Sequence, residues 1–173
     1  MDEILDLYDR QGNPAGTLVR KAGQLPVAPE GTYWRVCDVW IIRQNGDILI
    51  QRRALTKPNA PGLWCESAGG SIQHGETREE GCIRETREEL GVTVHPDQGI
   101  LAFEFVGRTS IHDVWIFRMD VPLESLTLQD EEVMDAKYVS PAELRRMARD
   151  GEFISLGYLD QLLRMLPVLL SAL

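Results

Sequence analysis

The sequence predicts a mixed α/β fold, an α+β arrangement in which strands and a few helices follow one another in no regular alternation. Three observations lead there. Residues 35–43 and 48–50 are dominated by β-branched and aromatic side chains and flank Gln44-Asn45-Gly46-Asp47, the pattern of a strand, a turn and a second strand. Residues 76–90 are rich in good helix formers and stop at Gly91, where the left-handed backbone of a helix C-cap favours glycine. Further strand-like runs lie on both sides of this helix.

In chain order, residues 5–9 and 17–19 read as short strands around Gln11-Gly12-Asn13-Pro14, whose composition suits a sharp reversal, so the chain should begin with a hairpin. Pro26, Pro29 and Gly31 mark an irregular connector. Residues 1–30 are thus expected as hairpin and connector, ahead of a body over residues 31–173 that forms a single globular unit. After the strand pair, Asn59-Ala60-Pro61-Gly62 breaks regular structure, and Gly69, Gly70 and Gly75 are expected to bracket a loop before the helix. Residues 103–106, 114–117 and 137–139 carry strand patterns. Ser140-Pro141-Ala142-Glu143 is a helix start, with a serine cap, proline at the first helical position and glutamate three residues after the cap. A last helix is expected over residues 159–170, with Pro167 as a point of kinking.

Bulk properties narrow the function. The 173 residues, 43% of them hydrophobic, suffice for one core. No run approaches the roughly 18 apolar residues of a membrane span, and the acidic N-terminus lacks a basic region leading into an apolar one, so a cytoplasmic protein without membrane contact is expected. Cys37, Cys65 and Cys82 have no metal-ligand spacing and read as reduced, packed thiols. A net charge of −9 argues against nucleic acid as a partner, because such binding leans on Lys and Arg displacing counterions. A small anionic substrate still fits, since a divalent cation held by carboxylates supplies local positive charge.

Glu85, Glu88 and Glu89 stand at i, i+3 and i+4, which a helix places on one face. Like charges so spaced cost a helix a few tenths of a kcal/mol per pair, roughly, unless something neutralises them. A hard cation such as magnesium, which prefers oxygen ligands and shares its coordination with phosphates, would do so. Glu-rich helices are often merely solvated, but this one is entered through a glycine loop and also carries Arg78, Arg84 and Arg87. Arg84 and Glu88, four apart, can pair. Arg52, Arg53 and Lys57 form a basic cluster near this segment, open to two readings, phosphate contact or surface pairing. Trp34, Trp40, Trp64 and Trp115 likewise offer either a stacking platform or core.

The run Gly70, five residues, Glu76, seven residues, then Arg84-Glu85-Thr86-Arg87-Glu88-Glu89-Leu90-Gly91-Val92 resembles the Nudix box. Thr86 departs from it, standing where the family has an aliphatic residue; its hydroxyl should find the carbonyl one turn back. The resemblance implies a Nudix α/β/α sandwich with a mixed sheet, here with the N-terminal β-hairpin as an extension. It implies Glu85, Glu88, Glu89 and the Gly70 carbonyl as ligands of Mg²⁺ or Mn²⁺, Arg84 as the residue orienting the carboxylates, and Glu76 as support for the loop. A metal-bound water would attack phosphorus, its proton passing to a helix glutamate, Glu131 or Glu132, with chain position favouring Glu132. The acidic run that holds these last two reads equally well as a solvated loop. Arg52, Arg53 and Lys57 would bind the substrate, a small-molecule diphosphate, with family frequency leaning to a nucleoside diphosphate derivative.

Two rival functions are weighed. The leading hairpin and Pro61-Gly62-Leu63-Trp64 resemble the Nudix branch that includes isopentenyl-diphosphate isomerase, but Ala68 stands where that enzyme needs cysteine and Trp34 where it needs a ligand histidine. A non-catalytic ligand-sensing module would usually lose box glutamates, and all are present. The leucine-rich residues 159–173 can cover the core or form a homodimer contact.

Overall fold

A computed structural model describes residues 2–173 of the chain. The expected hairpin is β1 (Glu3–Tyr8) and β2 (Pro14–Arg20), turned by Asp9, whose Oδ1 accepts from the Gln11 and Asn13 amides, both at 2.9 Å. Next come β3 (Tyr33–Ile42), β4 (Ile48–Arg53), β5 (Trp64–Cys65) and β6 (Ala68–Ser71), then α1 (Arg78–Leu90). β7 (Gly99–Val106), β8 (Ser110–Arg118), β9 (Val133–Val139), α2 (Pro141–Arg149) and α3 (Leu159–Ser171) complete the chain.

Two of these elements differ from expectation. Gly69 and Gly70 lie in strand β6, paired antiparallel with β3 through Cys37↔Gly70 and Asp38↔Gly69, where a loop was expected. Glycine is a poor strand former, so the pairing and not local propensity makes the strand. α1 begins two residues later than expected, because Thr77 is the cap. Its Oγ1 accepts from the Glu80 amide (3.1 Å) while Glu80 Oε2 accepts from the Thr77 amide (2.8 Å). Glu76 is thereby left in the loop, with its carboxylate free for Arg84.

Among the described residues nine strands form one mixed sheet. β8 runs parallel to β3 from Trp34↔Ser110 to Ile42↔Arg118, and β7 pairs antiparallel with β8. β9 and β5 flank β4, and β1 pairs with the start of β3. Among the described residues β3 and β4 pair only at Ile42↔Ile48. Ser67 bridges the gap between them, its Oγ donating to Leu49 O (2.6 Å) and accepting from Ile41 N (2.8 Å).

Side chains alternate along the central strands between two cores, as the period of two requires. Cys37, Val39, Ile41 and Leu49 pack with Cys82 and Leu90 under α1. Trp40, Ile42, Ile48 and Ile50 pack with Leu144 and Met147 of α2 and with Leu159, Leu162, Leu163 and Leu166 of α3. The result is the expected α/β/α layering, and the leucine-rich C-terminal helix covers the second core. Trp40 and Trp115 are core residues, while Trp34 and Trp64 are half-buried. Among the described residues no helix is long and apolar enough to cross a membrane.

Candidate active site

The segment from β6 to the end of α1 sets three glutamates against the sheet. Gly91 closes the helix in the left-handed conformation (φ 70°), donating its amide to Arg87 O. Thr86 is fully buried, and its hydroxyl donates to Cys82 O at 2.8 Å, one turn back as expected. The cost of the departure from an aliphatic residue is met inside the helix.

Glu89, 4% exposed, accepts from Gln51 Nε2 (2.7 Å) and from the Gly69 amide (3.0 Å). Burial, then the charge of Glu85, pushes its carboxyl up to about 8. Glu85 lies over Gly70, where the β-carbon of any other residue would collide with its carboxylate. Burial raises the Glu85 carboxyl as well, against the pull of Arg84. Glu88 is the outermost of the three, its side chain 46% exposed.

Arg84 is the hub. Its Nε and Nη2 grip both oxygens of Glu76 (2.6 and 2.9 Å), Nη1 reaches Glu85 (2.8 Å) and Glu88 (3.2 Å), and Nη2 also donates to Ser71 O (3.0 Å). Burial alone would lower the Arg84 pKa, but the carboxylates of Glu76 and Glu85 outweigh it and hold it above the ordinary value. Glu76 in turn is held below the usual carboxylate range: burial opposes this, and the hydrogen bonds from Arg84 and the Gln73 amide prevail. A planar fork bonded on all sides fixes the loop to the helix.

A hard divalent cation suits this donor set: oxygen ligands on one helix face, two of them on carboxyls that desolvation raises. Among the described residues no three acidic, His or Cys side chains stand close enough to hold an ion as they are placed. Arg84 occupies the space between Glu85 and Glu88, and Glu89 turns inward. The Gly70 carbonyl takes a weak bond from Cys37 Sγ at 3.6 Å.

The loop residues divide. Glu132 pairs with Lys57, and the Ala54 amide donates to Glu132 O (2.8 Å), so loop residues 54–57 are tied to residues 131–132. The charge of Glu132 also raises Glu89, which puts the two in each other's field. Arg53 shares the α1 face with Gln51 by alternation, its Nε donating to Asn59 O (3.0 Å). Arg52 belongs to the opposite face with its cross-strand neighbour Trp64, and its Nε donates to Gly62 O (2.9 Å). Arg52 is therefore not brought to the box. Gln51 and the Gly69 amide, which hold Glu89, were not foreseen. A polar residue in the core-facing alternation of β4 was the one available signal.

The NUDIX domain model matches residues 32–158. A Nudix hydrolase of Listeria monocytogenes serovar 1/2a, lmo0368, is 39% identical over 127 residues, 73% of this chain and 75% of the relative. Isopentenyl-diphosphate Delta-isomerase of Escherichia coli O6:H1 is 32% identical over 150 residues, 83% of this chain and 80% of the relative. The crystal structure of DR0079 from Deinococcus radiodurans superposes with a TM-score of 0.75 at 27% identity, over 94% of this chain and 98% of that one.

Proposed function

The chain belongs to the Nudix family and is a Nudix-type hydrolase, and from that premise we propose that it cleaves a diphosphate linkage in a nucleoside diphosphate derivative or related small molecule, with Mg²⁺ as cofactor. The observation that carries this reading is a pair of carboxyls set between helix and sheet, Glu85 over Gly70 and gripped by Arg84, and the buried Glu89 on Gln51 and the Gly69 amide. Glu85, Glu88, Glu89 and the Gly70 carbonyl would hold the cation, which when bound supplies Lewis acidity and a water of lowered pKa.

The residues of the chain do the rest. Arg84, locked by Glu76 and Ser71 O, orients Glu85 and Glu88 and prevents their mutual repulsion. The water oxygen bonds to phosphorus, the bridging P–O bond breaks, and the departing phosphate leaves with the bridging oxygen. The water proton passes to a carboxylate. Glu89 or Glu132, the second paired with Lys57, would take it. Arg53 and Lys57 serve the phosphates.

Isomerisation is disfavoured because Ala68, in the position where a reactive thiol is needed, is fully buried in β6. The test is phosphate and nucleotide release from a panel of diphosphates, isopentenyl diphosphate included, with and without Mg²⁺. Magnesium-dependent cleavage is expected. Silence across the panel despite metal binding would favour a sensing module.

A further inference from the structure

The N-terminal hairpin precedes residues 32–158, which carry the Nudix domain, yet it is bonded to the loop through which α1 is entered. Leu5 and Leu7 of β1 are buried, so one side of the hairpin is seated on the body of the chain. The later residues of β1 pair with β3, and its earlier ones lie beside residues 71–75. Leu5 bridges Gln73 antiparallel, and the His74 amide donates to Ile4 O at 2.7 Å. Arg20 of β2, paired with Glu3, donates from Nη1 to Ser71 Oγ (3.4 Å).

Asp6 clamps the turn of that loop. Its Oδ1 lies 2.7 Å from His74 Nδ1, and its Oδ2 accepts from the Gly75 amide at 3.3 Å. Both oxygens of one carboxylate thus serve two consecutive loop residues. Gly75 is left-handed (φ 82°), so the chain reverses where Asp6 takes hold of it. The Asp6 and His74 side chains are 30% and 57% exposed, and a pair so placed adds little to the stability of the whole fold. Its effect is therefore local, on the loop.

The loop passes this restraint inward. The Gln73 amide donates to Glu76 Oε2 (2.8 Å) and the Glu76 amide to Gln73 O (3.0 Å), so residues 73–76 close on themselves. Glu76 takes two bonds from Arg84, and Arg84 reaches Glu85 and Glu88. Ser71 works in parallel, its carbonyl accepting from Arg84 and its hydroxyl from Arg20. From Asp6 through Gly75, Glu76 and Arg84 to Glu85, each step is one hydrogen bond or one peptide unit. Burial raises the Glu85 carboxyl and the charge of Glu3 adds to it, so the base of the hairpin lies in the field of the same carboxylate.

We propose that Asp6 is a positioning residue of the metal site: by holding His74 and Gly75 it fixes the loop that carries Glu76, and through Glu76 and Arg84 it sets Glu85 and Glu88 for the cation. The proposal rests on the metal-dependent diphosphatase reading above. Groups that orient the ligands of a metal commonly change its affinity by about 10–100-fold when removed. The hydrogen bonds of Asp6, not its charge, carry the effect. An asparagine at position 6 can accept from the Gly75 amide through its carbonyl and donate to Nδ1 of a neutral His74 ring, which repeats both bonds.

Titration with Mn²⁺ alone, followed by electron paramagnetic resonance with the fold checked by circular dichroism, tests this on Asp6→Ala, Asp6→Asn and Asp9→Ala. Asp9→Ala also removes one charge and weakens the same hairpin, but the hydrogen bonds of the Asp9 side chain lie within the turn of the hairpin. Asp6→Ala is expected to bind at least about tenfold more weakly than wild type, and the other two variants within about threefold of it. Wild-type affinity in folded Asp6→Ala overturns the proposal. An equal loss in Asp6→Asn does so too, by making charge the cause, and an equal loss in Asp9→Ala by making hairpin stability the cause. An unfolded Asp6→Ala would mean that the pair holds the fold and not the loop. The expected order of affinities in a chain that cleaves no diphosphate would keep the positioning role and remove the diphosphatase reading. Wild type without saturable binding would remove the metal site and this proposal with it.

Discussion

The two faces of the sheet bury carboxylates in different ways. Under α1, Glu85 is neutralised in part by Arg84, and Glu89 receives two hydrogen bonds but no cation, so its carboxyl is pushed up to about 8 by burial and by Glu85. On the opposite face, Asp38 Oδ2 is bonded by His112 and Tyr158, while Glu66 keeps an open oxygen and burial pushes it up to about 7. The first arrangement is short of a positive charge. The second is short of a hydrogen-bond donor. A buried acid is tolerated only with compensation, and the two faces lack different kinds.

Breaking the α1 face should have the largest effect. Glu89→Gln keeps volume and removes charge; turnover is expected to fall at least about a hundredfold while the thermal midpoint holds or rises, and steady-state kinetics beside a melting curve check both. Near-normal turnover would remove Glu89 from the metal site. Gly70→Ala forces Glu85 off its seat, and we expect about a tenfold loss of turnover with roughly 1–3 kcal/mol of stability, read by kinetics and urea unfolding.

The opposite face should respond to pH. The folded-state carboxyl of Glu66 lies above its unfolded value, so its contribution to stability is complete below about pH 4.5 and is lost as pH rises through about 7. His112 works in the same direction: burial lowers its pKa, but the hydrogen bond and charge of Asp38 prevail and raise it. Metal-free wild type should therefore melt lower at pH 8 than at pH 6, and Glu66→Gln should show a smaller drop. An equal drop in the variant would mean that Glu66 is ionised throughout. The smallest effect is expected at Thr86→Val, within about 1 kcal/mol by urea unfolding, because the Cys82 carbonyl that loses the hydroxyl sits in a helix where its backbone partner remains.

The same comparison explains what the sequence made legible. The α1 face was readable because its parts lie within residues 70–92, where helical periodicity converts spacing into geometry: three glutamates on one side, Arg84 one turn from Glu88, glycine at the cap. Thr86 and its bond to Cys82 could be foreseen on the same ground. Asp38, Glu66, His112 and Tyr158 come from two strands, the link between β5 and β6 and the start of α3, with up to 120 positions between partners. No local pattern unites them. β6 was missed for a related reason, since glycines become a strand only when β3 supplies the pairing and Glu66 and Glu85 fill the space above them. Arg52 and Arg53 looked alike in sequence, and the pleat sends them to opposite faces.

The most direct test of the central claim is a Mn²⁺ titration followed by electron paramagnetic resonance on wild type and on Glu89→Gln. Saturable binding by wild type that weakens at least about tenfold in the variant is the predicted result. Identical binding by the two would contradict the assignment of the α1 glutamates as the metal site.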